Sequence, residues 1–241
     1  MVRCVGADEG RGQSGRWSGL ADVDARSGGR GGGAAVEERR PRRREGNDAA
    51  VEVLAPAVTG TQNVLEASHA ANVRRVVVVS SVAAVIANPN IPDGAVVDED
   101  CWSDEDYCRA TKVEHVLAAS PMNWYCVSKA VAEREALAYG ERTGMDVVTV
   151  CPPWVVGPLL QPTVNATSMR FVAYLKGENT DEKRRNMVDV RDVADALVLT
   201  YETPEASVRR YICSAHAMKV SETVGLVNSL HPDLKLHYPW K

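Results

Sequence analysis

Four consecutive valines, Val76, Val77, Val78 and Val79, followed by the serine pair Ser80 and Ser81, constrain the fold of this chain more than any other feature. A β-branched run this short, with no polar alternation, suits a parallel strand covered by helices on both faces. The same grammar recurs. Residues 146–151 (DVVTVC) make a second such strand after a helical stretch at 124–142, with Gly144 placed as the helix stop. A helical stretch at 189–201 precedes a strand at 210–214. Residues 48–71 read as a helix carrying Val53, Val58, Val64 and Leu65, strained at Pro56 and Gly60. Helices alternating with apolar strands predict an α/β fold with a doubly wound parallel sheet, in which ligands sit beyond the carboxyl ends of the strands. Ser80 and Ser81 stand at such an end.

The first fifty residues have a different texture. They hold 11 of the 18 glycines, and their charged residues are 10 Arg and 8 acids with no Lys. Large apolar residues are rare there, so the segment cannot bury a core, and residues 1–47 are expected to be disordered. The folded domain is expected to span 48–241. Net charge is −4, which gives no electrostatic reason to expect nucleic acid or an anionic membrane as partner. The longest apolar runs fall far short of the ~20 residues a spanning helix requires. The six cysteines form no C-x-x-C pair and the five histidines no ligand spacing, so no metal site is expected and reduced thiols in the cytoplasm fit best. Asp189, Arg191, Asp192 and Asp195 read as capping and solvating a helix rather than as a metal cluster. Asn165-Ala166-Thr167 spells a glycosylation sequon without a secretory signal to make it useful.

Tyr125 and Lys129 lie four apart on the helical stretch 124–142, so both project from one face and can act on one substrate atom. A nearby ammonium favours the phenolate and is expected to bring Tyr125 closer to a useful acid or base. Seven Tyr and seven Lys make the spacing alone cheap. Its meaning comes from order: the Ser pair ends one buried strand, Tyr-x-x-x-Lys follows on the next long helix, and the strand after it runs into Pro152-Pro153-Trp154-Val155-Val156-Gly157-Pro158.

In that order the chain resembles the extended short-chain dehydrogenase/reductases, and within them the plant cinnamoyl-CoA reductase and dihydroflavonol reductase branch. The resemblance rests on residues 56–66 (PAVTGTQNVLE), 74–81 (RRVVVVSS), 97–112 (VDEDCWSDEDYCRATK), 123–129 (NWYCVSK), 157–167 (GPLLQPTVNAT) and 188–196 (VDVRDVADA), and it covers the chain from about Asp48 onward. It implies catalytic roles for Ser81, Tyr125 and Lys129: Ser81 as hydrogen-bond donor to a substrate carbonyl oxygen, Tyr125 as proton donor to it, and Lys129 as the group that tunes Tyr125 and holds the nicotinamide ribose. It implies cofactor contacts from those three and from Pro152, Pro153, Trp154, Val155 and Thr167. NADP(H) is the implied cofactor and a phenylpropanoid or flavonoid small molecule the implied substrate. Asn123-Trp124-Tyr125-Cys126 resembles the cinnamoyl-CoA branch, whereas Val127-Ser128 and Arg170 depart from its usual residues.

Three further departures are expected to matter. The Gly-rich phosphate-binding turn of the family is not recognisable, since Gly10-Arg11-Gly12-Gln13-Ser14-Gly15 lacks both a strand before it and an apolar helix after it. Residues 113–122 read as an insertion, and the chain stops before the family's last substrate-domain helices. The expectation is therefore an incomplete Rossmann-type sheet with part of a substrate lobe within 153–241. Val76 to Val79 would be left unpaired on one edge. The competing reading is a catalytically inactive fragment that at most binds partners.

Overall fold

The computed structural model describes residues 2–5, 50–92, 94–110, 121–178, 182–207, 209–234 and 236. The chain opens with β1 (Val2–Val5), then α1 (Ala55–Ala70), β2 (Arg75–Val79), the short α2 (Glu105–Ala110), the long α3 (Pro121–Thr143) and β3 (Asp146–Cys151). It continues through β4 (Trp154–Val156), α4 (Ala166–Leu175), β5 (Arg185–Asp189), α5 (Val190–Glu202), β6 (Arg210–Ile212), β7 (His216–Met218) and α6 (Val220–Leu230). Among the described residues, no helix is long and apolar enough to cross a membrane.

The main sheet has the order β1-β2-β3-β6. β2, β3 and β6 are parallel, with Arg75 opposite Asp146, Val79 opposite Val150 and Cys151 opposite Ile212. Because successive strand residues face opposite sides, Val76, Val78 and Val147 share one face, where they pack with Leu65 of α1 and Ala136 and Tyr139 of α3. On the opposite face α5 crosses β2. The expected doubly wound α/β arrangement is what forms.

The edge of β2 is not left open. β1 runs antiparallel along it, with Val2 opposite Val78 and Val5 opposite Arg75. An exposed edge presents a row of backbone N–H and C=O groups that any extended segment can satisfy, and an antiparallel one needs no crossover helix. Of the segment expected to be disordered, only these four residues are described; residues 6–47, including Gly10 to Gly15, lie outside the described set.

Several boundaries move for identifiable reasons. Pro56 does not strain a longer helix; it occupies the first turn of α1, where a missing N–H costs nothing. One π-helical turn, Ala50–Leu54, precedes it. Of the expected insertion at 113–122, only Pro121 and Met122 are described, and they form the start of α3. Gly144 adopts φ +74 just after α3, as a left-handed helix stop requires. Asp189 is not in α5 but caps it, accepting from the Arg191 backbone N–H at 2.8 Å. The Arg191 side chain closes on the same carboxylate and holds it down at about 2.

A second, three-stranded sheet has the order β4-β5-β7. Gly157 follows β4 at φ +135, and a Cβ there would come within 2.8 Å of Val190 Cγ1, so this turn lies close against the start of α5.

Arg75 ties the layers together. Its guanidinium donates to the carbonyls of Thr200 (2.8 Å) and Tyr201 (2.9 Å) in the last turn of α5, to that of Thr203 (2.7 Å) just beyond it, and to Asp146 at 2.7 Å. Replacing Arg75 by Met should orphan the carbonyls of Thr200 and Tyr201 and take from Asp146 its buried cation, leaving it the Ser207 hydroxyl. A loss of about 3–5 kcal/mol in urea unfolding is expected; a change under 1 kcal/mol would contradict this account.

Candidate active site

The serine pair leaves β2 at its carboxyl end. The Ser80 N–H donates to the Val150 carbonyl at 2.8 Å and the Val82 N–H to the Pro152 carbonyl at 3.1 Å, so the segments leaving β2 and β3 run side by side. Ser81 is thereby set next to Pro152. Ser81 is extended (φ −165, ψ 154) and caps a single 3-10 turn, Val82–Ala84, its Oγ accepting from the Ala83 N–H at 3.2 Å.

α3 brings Tyr125 and Lys129 to this point from across the sheet, one turn apart. The Tyr125 hydroxyl lies close enough to Ser81 for the serine side chain to bear on its ionisation. The Lys129 ammonium lies 5.9 Å from the Tyr125 ring centroid. Tyr125 as a whole stays 39% exposed. Ser81, Tyr125 and Lys129 are thus gathered at one sheet end. Pro152 and Pro153 are buried beside them, and Trp154 and Val155 are half-buried on β4. Trp154 stacks on Tyr174, centroids 5.7 Å apart and planes within 16°. Thr167 is placed differently: it lies in the first turn of α4, which reaches the site only by packing on β4. Asn165 caps that helix by accepting from the Ser168 N–H at 2.8 Å, so the sequon residue has a structural use.

The proton balance differs from the one the spacing implies. Burial pushes the Tyr125 phenol above its ordinary range, and the nearby Ser81 hydroxyl opposes this only in part. Burial likewise pushes Lys129 below the ordinary amine range, against the charge of Glu133 and then of Cys151. Expected depression of Tyr125 by Lys129 does not emerge, because desolvation governs both groups. Tyr125 therefore holds its proton through the physiological range.

Two residues that sequence reasoning passed over stand directly behind this site. The side chain of Glu133 is 0% exposed and that of Arg210 6%. Glu133 Oε2 accepts from Ser80 Oγ at 2.6 Å; Oε1 accepts from Thr149 Oγ1 at 2.6 Å, Cys151 Sγ at 3.2 Å and Arg210 Nε at 2.8 Å. Arg210 also donates to the carbonyls of Glu99 (2.9 Å), Cys101 and Ala84 (3.2 Å), and its guanidinium lies 3.6 Å from the Trp102 ring centroid. The available signal was helical spacing: Glu133 falls four residues after Lys129 and eight after Tyr125, on the same face of α3.

Two hollows lie away from these groups. One of about 590 Å³ runs between Asn88 and Arg134 along the acidic loop 100–106, and one of about 400 Å³ lies under α5 against Val150, Tyr211 and Ile212.

The sequence profile of the NAD dependent epimerase/dehydratase family matches residues 42–213. Cinnamoyl-CoA reductase 1 of Petunia hybrida is 43% identical over 188 residues, which cover 77% of this chain and 53% of that protein. Vestitone reductase from alfalfa (Medicago sativa) superimposes with a TM-score of 0.65 at 31% identity, over 76% of this chain and 57% of its own. Gre2 from Candida albicans, solved in complex with NADPH, superimposes with a TM-score of 0.67 at 28% identity, over 80% of this chain and 59% of its own. The chain spans about half the length of the curated relatives it matches.

Burial also raises the thiols of Cys126 and Cys151, each to about 12. Both should therefore resist iodoacetamide at pH 8 in the folded protein and react once it is unfolded in urea, as read by peptide mass spectrometry; rapid native alkylation of either would contradict the described packing.

Proposed function

The chain belongs to the NAD dependent epimerase/dehydratase family, and from that membership we propose that it is a reductase of the cinnamoyl-CoA type, using NADPH on the carbonyl of a hydroxycinnamoyl-CoA thioester or a related phenylpropanoid or flavonoid. One observation carries the reading: a phenol that keeps its proton, beside Ser81 and one helical turn from Lys129, at the carboxyl ends of two parallel strands. The five described thiols that are free of disulfides support a reducing, cytoplasmic setting.

The residues present fit the nicotinamide end of such a cofactor. A cation and two hydroxyl groups stand beside the Pro152 and Pro153 wall, which offers an apolar surface for a flat ring and donors for a ribose. Lys129 and Tyr125 would hold the ribose, Pro152, Pro153, Trp154 and Val155 would bound the ring, and Thr167 would approach from α4. When bound, NADPH supplies a hydride. The remaining work falls to the chain. Ser81 and Tyr125 both donate to the substrate carbonyl oxygen, stabilising the charge that develops there, an effect on the order of 3 kcal/mol per donor. Tyr125 then passes its proton to that oxygen where an alcohol is the product, and Ser81 holds the oxygen in line throughout. With a thioester, the same two donors stabilise the oxyanion until the CoA thiolate leaves.

Tyr125→Phe keeps the ring and removes the donor. Reduction of hydroxycinnamoyl-CoA, followed as NADPH consumption and aldehyde formation, should fall about 10²–10⁴-fold, with the melting temperature little changed. Retained turnover in this variant would refute the assignment, and a parent chain that binds NADPH without turnover would instead be a binding module. The pH dependence has a definite sign. Reduction of a ketone or aldehyde needs the protonated phenol, so its rate should hold through neutral pH and fall only as pH rises through a midpoint above the ordinary phenol value. A rate that climbs across that range would contradict Tyr125 as the acid.

A further inference from the structure

Three elements carry the candidate catalytic groups, and one carboxylate touches all three. Ser80, the neighbour of Ser81, donates to Glu133 from the end of β2; Thr149 and Cys151, just before Pro152, donate from β3; and Glu133 itself lies on α3 beyond Tyr125 and Lys129. A buried acceptor with this many donors is a rigid node, because releasing any one of them strands a polar group without water. We propose that Glu133 is a positioning residue: it fixes the spacing between Ser81 and the Tyr125–Lys129 pair and serves as the counter-charge of Lys129, a role that rests on the reductase reading above.

The groups facing Lys129 support this assignment. Burial works against its ammonium, Glu133 is the foremost influence in its favour, and Cys151 follows. The Tyr125 ring lies at 5.9 Å. Arg210 on β6 shares the Glu133 carboxylate, yet it is anchored independently by the carbonyls of Ala84, Glu99 and Cys101 and by Trp102. Removing the charge of Glu133 therefore leaves Arg210 with partners and leaves Lys129 without its main counter-charge.

The experiment follows Lys129 itself. In the full 241-residue chain, without cofactor or substrate, lysines are acetylated with acetic anhydride over a range of pH and mapped by mass spectrometry. In Glu133→Gln, Lys129 should react roughly tenfold faster at pH 8, because loss of the nearby anion favours the neutral amine, while the exposed Lys176 and Lys183 react as in the parent. Glu133→Gln with Arg210→Met removes both buried charges; loss of the Arg210 cation works the other way, so the acceleration should be smaller but still present, Glu133 being the foremost charge acting on Lys129, even where the single variant is too unstable to assay. Parental labelling of Lys129 in either folded variant overturns the proposal. Failure of both variants to give a cooperative melting transition also overturns it, assigning the carboxylate to fold maintenance alone. The labelling needs no turnover, so unchanged labelling in an active enzyme refutes the positioning role only. Accelerated labelling without any reductase activity in the parent supports the role and refutes the reductase reading only.

Discussion

Beside the carboxyl ends of β2 and β3, where β6 begins, a carboxylate and a guanidinium meet with almost no solvent around either. Taking such charges out of water costs several kcal/mol per ion, and their attraction offsets this only when the remaining donors and acceptors are also satisfied. Glu133 and Arg210 meet that condition. The carboxylate is ringed by Ser80, Thr149, Cys151 and Arg210, and the guanidinium by three carbonyls and the face of Trp102. Everything at the site hangs from this pair: the segment that holds Ser81, the segment that becomes Pro152, and the turn of α3 that carries Lys129. The loop at 99–102 is drawn in by the same guanidinium.

The parts of the fold that could be read from sequence are those whose signal is local. Val76 to Val79 and residues 146–151 are recognisable because a fully buried strand writes its burial into every residue. Tyr125 and Lys129 are recognisable because helical spacing is fixed by geometry. β4 and β7 are three residues each and carry no period long enough to detect, so the second sheet went unseen. Pro56 looked disruptive because its position relative to the helix start cannot be judged until that start is known.

Glu133 escaped notice for a different reason. A Glu followed by an Arg in a helix reads as a solvated face, and the groups that make its burial tolerable lie at sequence separations of 53 and 77 residues. The same blindness affected Tyr125. Spacing gave the cation but not the depth of burial, and depth decides which protonation state is favoured. The family relationship, by contrast, was legible, because order along the chain survives where depth does not. The matched span of 42–213 contains the serine pair, the Tyr-x-x-x-Lys helix and the Pro152 turn together.

Arg75 has a bearing on how the molecule comes into being. Its side chain closes on Asp146, on the last carbonyls of α5 and on Ser207, partners between 71 and 132 residues further along. A nascent chain can form α1 and β2 early, but the guanidinium meets its first partner only at Asp146 and its last at Ser207. During that interval β2 is a half-finished strand whose cation is still hydrated and uncovered, the kind of species that chaperones engage. The lock that makes sheet and helix one cooperative unit thus closes only after the ribosome has passed residue 207.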